Sequence, residues 1–525
     1  MTDYSLTHIP FTDTLAQTVL DCAQIRAVEN IYHTDSGYAL MQYAADSIYQ
    51  KIRELRLAND RQVVVFVGSG NNGGDGYEIA AAMLKDGFSD VSVIRVVPQK
   101  AGIDAVHARD NYLGCGGHET DFDNQELVDG RIRDNAVIVD SMLGIGITAV
   151  GSSQNSQKIS NAVRLINRLK SERKLLVLSV DIPSLLNADN GMPVGGEAVK
   201  ADYTYTVFTF KTGTITGRAR DFCGKVFAVG NTLPDFESNI VAARRSGTEK
   251  HLVAYDDIRP WLPLRSKCAH KGNSGRVLLV GGSSGMIGAL ILSSLAALRT
   301  GAGLITALAL SGEHQAFNSV NPCIMTAGTD SLDEKIKTTG ALLVGPGMGR
   351  NQNAENVFKK CIMSSSSMVI DADGLYHLHN LGSCEFNTVP VLTPHVGEAA
   401  LLCDTDASAI ESDSVGFALM IAEKYKAVCV LKSAATVIAS PDGKVYLTAT
   451  GCSGMASGGM GDLLSGIITS LLGQGLEPVI AAVAGVLIHG EAGRAEAQEG
   501  GNIGMCATDL LPHIRLLVNG IAPKK

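Results

Sequence analysis

The stretch VVVFVGSGNNGGDG, residues 63–76, decides how the first half of this chain reads. Five apolar residues, four of them Val, run without a polar break, as a strand covered on both faces requires. Gly, Asn and Asp cluster behind it, and then comes the apolar run EIAAAML (78–84). A strand, a glycine turn and a helix are the parts of a βαβ unit. Gly68, Gly70 and Gly73 fit the spacing GxGxxG, which lets backbone approach a pyrophosphate in front of a helix N-terminus. A simple dinucleotide dehydrogenase also needs an acid ending the second strand, to hold the ribose. That strand ends Val97-Pro98-Gln99 here, so the glycines alone do not assign a dinucleotide.

Outward from this stretch, VSVIRVV (91–97), AVIVDSM (136–142) and LLVLSVDI (175–182) read as further buried strands. TYTVFTF (204–210) and KVFAVG (225–230) continue the sheet. Two of the strand ends carry polar groups. Asp140 closes one, ahead of Gly144 and Gly146, and Asp181 closes another, ahead of Pro183 and Ser184. A single Asp in such a place is ordinarily a helix N-cap. Ligands of open α/β sheets, however, sit beyond the carboxyl ends of the strands. Asn72, Asp140, Asp181 and Ser184 converge on that edge and mark a candidate site.

Residues 234–250, PDFESNIVAARRSGTEK, show no sustained period and many charges. They read as a linker around the basic pair Arg244-Arg245. The expected division is a domain over 1–235, a linker over 236–252 and a domain over 253–525. In the second domain the strand candidates are 276–282, 304–310, 341–347, 368–374, 389–395 and 427–433. A helix fits 288–303, and a hairpin fits 436–449 with its turn at Pro441-Asp442-Gly443. CSGMASGGMGDLLSG (452–466) then sets Gly458, Gly459 and Gly461 ahead of Asp462 at a helix start. Bare N–H groups there form an anion hole, and an Asp beside it can take a hydroxyl proton as that oxygen attacks phosphorus. The plain alternative is an N-cap aspartate. GGSSG (281–285) also matches the nucleophile elbow, with Ser283 as nucleophile, but Met286-Ile287-Gly288 extend the turn where the elbow expects a helix. A glycine-rich substrate loop fits it better.

The chain has 44 Lys+Arg against 53 Asp+Glu, a net charge of −9, and no basic face for nucleic acid is expected. No apolar run reaches the ~18 residues of a membrane span, and the N-terminus lacks a signal-peptide pattern. Eleven Cys occur without CxxC and read as small apolar residues in a reducing compartment. A soluble, cytoplasmic protein is expected. Its 57 Gly exceed the usual ~7% share, which suits a fold with many tight turns.

GNNGGDG, the Asp140 segment, DIPS and FTFKTG resemble, in order, the epimerase domain of the bifunctional NAD(P)H-hydrate repair enzymes. HKGNSGRVLLVGGSSGMIGA, GPGMG, DADG, LTPHVGE, VLKSAATVIASPDG, GGMGD and LIHGEAG resemble the ADP-dependent dehydratase domain of the same family. The resemblance implies an α/β fold with a Rossmann-like N-terminal domain and a ribokinase-like C-terminal domain. It implies epimerisation of the R and S hydrates NADHX and NADPHX, then dehydration of the S form to NAD(P)H with ADP and Mg²⁺. It places K⁺ on Asn72, Asp140 and Ser184, and makes Asp181 the acid/base. Epimerase substrate contacts would come from Asn71, Asn72, Gly73, Gly74 and Asp75, and from Gly144, Ile145, Gly146, Ile147, Thr148, Ala149 and Val150. Ala289, Met348, Gly349 and His395 would line the hydrate site of the dehydratase, with Asp462 facing the hydroxyl. Lys432, Ser433, Ala434, Ala435, Thr436 and Gly461 would hold ADP. A homo-oligomer is implied by the family alone. Two departures stand out: Leu185 replaces the Gly of DIPSG, and Ser433 replaces a Gly beside Lys432. A Leu would be strained if that backbone needs positive φ. A ribokinase-type small-molecule kinase fused to a non-catalytic nucleotide-binding domain is the other reading.

Overall fold

The structure is a computed structural model, described over residues 18–32, 37–98, 103–123, 125–147, 151, 153–272, 274–382 and 384–521. Two compact units divide between Lys250 and His251.

The first unit is built on seven parallel strands: β1 (Val63–Val67), β2 (Val91–Arg95), β3 (His118–Asp121), β4 (Val137–Ser141), β5 (Leu176–Val180), β6 (Tyr203–Val207) and β7 (Lys225–Val229). Their order across the sheet is 3-2-1-4-5-6-7. The first six follow the Rossmann order, which reverses between β1 and β4 and opens a crevice there. All five residues of β1 and of β4 are buried, as the continuous apolar runs require. Sequence reading missed β3, whose residues HETD are polar because it is an exposed edge strand.

Helix α1 spans Asn71–Lys85 and so begins seven residues ahead of the run EIAAAML. Its first turn is glycine-rich because it is pressed on strand ends. A Cβ on Gly73 would lie 2.3 Å from the Gly68 carbonyl oxygen, and one on Gly76 would lie 2.6 Å from Ser141 Cβ.

The expected linker is a helix, α2 (Phe236–Arg245). Phe236, Ile240 and Ala243 share one face and join Leu20, Ile25, Val28 and Phe208 in a small core. The charges between them hid this i, i+4, i+7 spacing. Arg244 is not solvated but buried, 3.3 Å from Glu249.

The second unit holds β8 (Arg276–Gly281), β9 (Leu304–Ala309), β10 (Met325–Ala327), β11 (Ala341–Val344), β12 (Ser367–Ile370), β13 (Val391–Leu392), β14 (Val428–Leu431), β15 (Val437–Ala439) and β16 (Val445–Leu447). Their order is 10-9-8-11-12-13-14-15-16. Pairing is parallel up to β14 and antiparallel through the hairpin β15–β16. This is the ribokinase-like α/β arrangement expected. Helices α3 (Ile287–Thr300), α5 (Met460–Gly473) and α6 (Pro478–Gly500) pack into its core, with the short α4 (Val396–Leu402) after β13 and α7 (Leu511–Val518) near the end. No helix among the described residues is long and apolar enough to cross a membrane.

Leu185 does adopt the left-handed region, at φ +69°, yet its side chain is buried at 4% exposure among Leu186, Ile182 and neighbouring apolar residues. Left-handed backbone costs a Leu roughly 1–2 kcal/mol. Stripping a buried Leu costs about 2–5 kcal/mol. Burial therefore outweighs strain. Leu185→Gly is expected to lower stability by about 2 kcal/mol in urea unfolding, the difference between mid-range values of the two effects. A more stable variant would show that strain dominates packing at this turn.

Candidate active sites

In the first unit the carboxyl ends of β1, β4 and β5 meet a cavity of about 640 Å³. Asn71, Asn72, Asp75, Gly144, Ile145, Gly146, Ile147 and Asp181 all line it, as expected. Gly73 and Gly74 are buried behind it and act through close packing. Thr148, Ala149 and Val150 lie outside the described residues. Gly70 caps α1 without a side-chain bond, and a Cβ there would meet nothing within 4 Å. The helix start is thus open to a ligand at Gly70, whereas Gly68 and Gly73 serve the chain's own tight turn.

Asp140 is fully buried. It accepts from Ser184 Oγ at 2.5 Å, Ser184 N at 2.8 Å and Ser179 Oγ at 3.0 Å. Burial still pushes its carboxyl above the ordinary carboxylate range, against those bonds. Beside this network, Asn72 Oδ1 and Nδ2 are buried with no hydrogen-bond partner.

Asp181 stands just beyond β5 at φ +68°. Its Oδ1 accepts from Val207 N at 3.1 Å and from Lys211 Nζ at 2.5 Å. Lys211 is 1% exposed and also donates to Thr206 Oγ1 at 2.8 Å. Asp75 lies close enough to feel this charge. Burial first, and then Asp181, hold its carboxyl well above the usual range. A carboxyl so raised holds its proton more readily than an ordinary aspartate, and it stands in the same cavity as Asp181.

In the second unit a lysine again gathers carboxylates. Lys432 Nζ lies 2.9 Å from Asp371 Oδ1 and 3.8 Å from Glu398 Oε2. Burial pulls its ammonium down, but Asp371 and then Glu398 more than offset this and leave it raised. Burial also raises Glu398, with Lys432 opposing and Asp371 adding. Asp462 is pushed up to about 7, by burial and then by Asp371, against Lys432.

Asp462 is not the N-cap of α5. That position is Gly459, at φ +87°, and it makes no side-chain cap bond. The helix start is therefore bare, with Asp462 in its first turn. A Cβ on Gly461 would lie 3.3 Å from Lys432 Nζ, so phosphate held by these N–H groups would also meet the ammonium. The loop after Lys432 is tied by Ser433 Oγ donating to Ala435 O at 2.6 Å. His489, of LIHGEAG, is buried and pulled down to about 4 by burial and then Lys432, so it is a neutral imidazole.

A second cavity, of about 380 Å³, is lined by Gly285, Met286, Ala289, Gly347, Arg350, Asp373 and Glu398 among others. Gly349, at φ +79°, is held by its N–H donating to Asp373 Oδ2 at 2.9 Å.

A family profile described as NAD(P)H-hydrate dehydratase matches residues 277–516, and one described as YjeF-related protein N-terminus matches residues 37–213. The bifunctional NAD(P)H-hydrate repair enzyme Nnr of Escherichia coli (strain K12) is 33% identical over 528 residues, covering 99% of this chain and 97% of that protein. The enzyme of the same name from Coxiella burnetii is 34% identical, covering 94% and 98%. The chain belongs to the bifunctional NAD(P)H-hydrate repair enzymes. Among solved structures, an ADP/ATP-dependent NAD(P)H-hydrate dehydratase from Bacillus subtilis, co-crystallised with ATP/Mg²⁺, covers 51% of this chain and 97% of its own. Its identity is 26% and its TM-score 0.48.

Within this repair enzyme some expected residues take other places. The Met348 side chain is fully buried, so its packing holds the GPGMG loop while Gly347 and Arg350 face the cavity. His395 is an exposed N-cap of α4, its Nδ1 accepting from Gly397 N at 2.9 Å, with Glu398 Oε2 accepting from His395 N at 2.8 Å. The Ser283 elbow does not form. Ser283 N donates to Gly347 O at 2.6 Å, and α3 begins only at Ile287. Sequence reading missed Lys211, Arg350 and Asp373, although FTFKTG and DADG flagged two of their neighbourhoods. It also missed Arg26 and Glu29, which reach the first cavity from the helix Cys22–Tyr32 and carry no motif.

Proposed function

We propose that the repair of hydrated NAD(P)H runs through these two sites in turn, with the carboxyl-end aspartates Asp181 and Asp462 doing the proton transfers. The single observation that carries this is Asp462 in the uncapped first turn of α5, raised to about 7, beside Lys432. In the first site Asp181, positioned by Lys211, takes the proton of the adding water, and Asp75 supplies one to the departing hydroxyl. Loss and return of that hydroxyl from opposite faces exchange the R and S hydrates. Asn72, Asp140 and Ser184 fit a K⁺ ion, because the two unpartnered Asn72 atoms and the buried Asp140 carboxyl lack a counter-charge. A bound K⁺ would neutralise Asp140 and offer positive charge to an anionic substrate.

In the second site Asp462 takes the hydroxyl proton of the S hydrate as its oxygen attacks the terminal phosphorus of ADP, and the bond to the inner phosphate breaks to release AMP. Lys432 and the N–H groups at Gly461 hold the phosphate, with Ser433, Ala434, Ala435 and Thr436 on the nucleotide side. Phosphate then leaves with its bonding pair, and loss of a proton from the adjacent ring carbon restores the dihydropyridine. Asp371 and Glu398 fit Mg²⁺, since three carboxylates around one ammonium leave excess negative charge. A bound Mg²⁺ would screen the diphosphate. We place the enzyme in the cytoplasm as a homo-oligomer. Eleven unpaired cysteines support the compartment, and the family resemblance supports the assembly. The kinase alternative lacks an observation in its favour.

Replacing K⁺ by Li⁺ is expected to slow epimerisation and leave dehydration of pure S hydrate nearly unchanged. Equal loss of both would place the ion elsewhere.

Asp462→Asn removes the base but also a costly buried charge, so folding and ADP affinity are expected to persist. Dehydration should fall by at least about 10²-fold with epimerisation intact. In the wild type, kcat/KM for dehydration should rise with pH through about 7, as Asp462 loses its proton. A folded variant with near wild-type dehydration would remove Asp462 from this role.

A further inference from the structure

Away from both sites, the second unit carries a cavity of about 890 Å³ lined by Arg259, Arg265, Arg299 and Arg515. Among the described residues, no acidic side chain lines it. A neighbouring cavity of about 510 Å³ shares Arg299 and Arg515 in its wall. The arginines come from three elements: the segment after Ile258, the last turn of α3, and α7. Bringing four guanidinium groups together costs Coulomb energy unless counter-charge is present.

Two of the four have an internal explanation. α3 ends at Gly301 and α7 runs out near Gly520, and helix C-termini carry partial negative charge. Arg265 Nη2 donates to the Gly301 carbonyl, and Arg259 Nη2 donates to the Gly520 carbonyl at 3.1 Å. Arg259 also meets Asp256, at 3.4 Å. Each of these groups has five N–H donors and uses one or two. Arg299 and Arg515 are different. Among the described residues neither side chain finds a hydrogen-bond or ion-pair partner, and both lie in the wall of one cavity that no carboxylate lines, unlike Arg95 with Asp121 and Arg168 with Asp129. Planar guanidinium forks match phosphate oxygens in two-point bonds, which suits them to phosphate more than to a simple halide.

We propose that this cavity is a binding site for a small polyanion carrying at least two linked phosphate groups, separate from both catalytic centres. Arg259 and Arg265 are pre-positioned by their carbonyl bonds, and Arg299 and Arg515 close on the anion. The anion is either a free phosphate chain or the diphosphate of a nucleotide. The exposed Leu264, at 96%, sits in the same lining and would favour a ligand with an organic part.

The test is calorimetric titration of the full chain without ADP, in which the binding lost in Arg299→Gln with Arg515→Gln is separated from binding at the phosphate loop at Gly461, which those substitutions leave intact. One arm uses inorganic pyrophosphate and the other uridine diphosphate. Wild type is expected to bind at least one of them, more weakly as salt rises. Arg299→Gln combined with Arg515→Gln should weaken that binding at least ~10-fold. Both substitutions are on exposed side chains, so melting temperature and both activities should stay at wild-type values. Tighter binding of uridine diphosphate than of pyrophosphate assigns a nucleotide, and equal binding assigns a free phosphate chain. No binding of either by wild type at physiological salt overturns the proposal, as does equal binding by the double variant. A double variant that changes oligomeric state while binding is unaltered also overturns it, and marks this face as a contact between copies.

Discussion

Each unit is organised around one lysine taken out of water and held by a carboxylate at a strand end. Lys211 meets Asp181 at 2.5 Å, and Lys432 meets Asp371 at 2.9 Å. Burying such a pair is favourable only when the geometry is close and the remaining donors are satisfied. Lys211 meets that demand with Thr206 and the Val207 carbonyl. Removing one partner would leave a lone buried charge, a destabilisation of about 3–5 kcal/mol. Catalytic polarity and fold integrity therefore rest on the same contacts. In the second unit burial raises Glu398 and Asp462 while Lys432 opposes it.

This placement strains the backbone near the strand ends. Asp181, Leu185 and Phe208 all lie near φ +68°, and Ala372, next to Asp371, lies at +49°. Non-glycine residues in that region cost of order 1–3 kcal/mol each and persist where their surroundings over-determine them. Here the surroundings are rigid. Parallel strands with fully buried residues stand behind Asp140 and Asp181, and α5, nearly all buried, stands behind Asp462. The aspartates are thus presented by deeply buried parts of the fold.

Much of this was legible in the residues. Continuous apolar runs gave the central strands, and polar residues closing those runs gave Asn72, Asp140, Asp181 and Ser184. The rest was hidden for physical reasons. HETD and Met325–Ala327 form edge strands that need no apolar pattern. Phe236, Ile240 and Ala243 were masked by charges on the other face of their helix. Met348 and His395 sit inside recognisable motifs, and the burial of one and the capping bonds of the other are contacts that spacing does not show. Lys211 matters through a contact spanning thirty positions in the chain, from Asp181, and only the folded sheet makes it.

The central claim is that two chemically separate aspartate sites hand a free hydrate from one to the other. Mixing Asp181→Asn protein with Asp462→Asn protein, each first shown to be folded by the one activity it should retain, is the test. With pure R hydrate, ADP, Mg²⁺ and K⁺, either variant alone should return 340-nm absorbance no faster than spontaneous epimerisation allows. The mixture should return it well above that rate, because S hydrate made by one protein is dehydrated by the other. Recovery from R hydrate by either variant alone at the wild-type rate, or none from the mixture, would contradict the account.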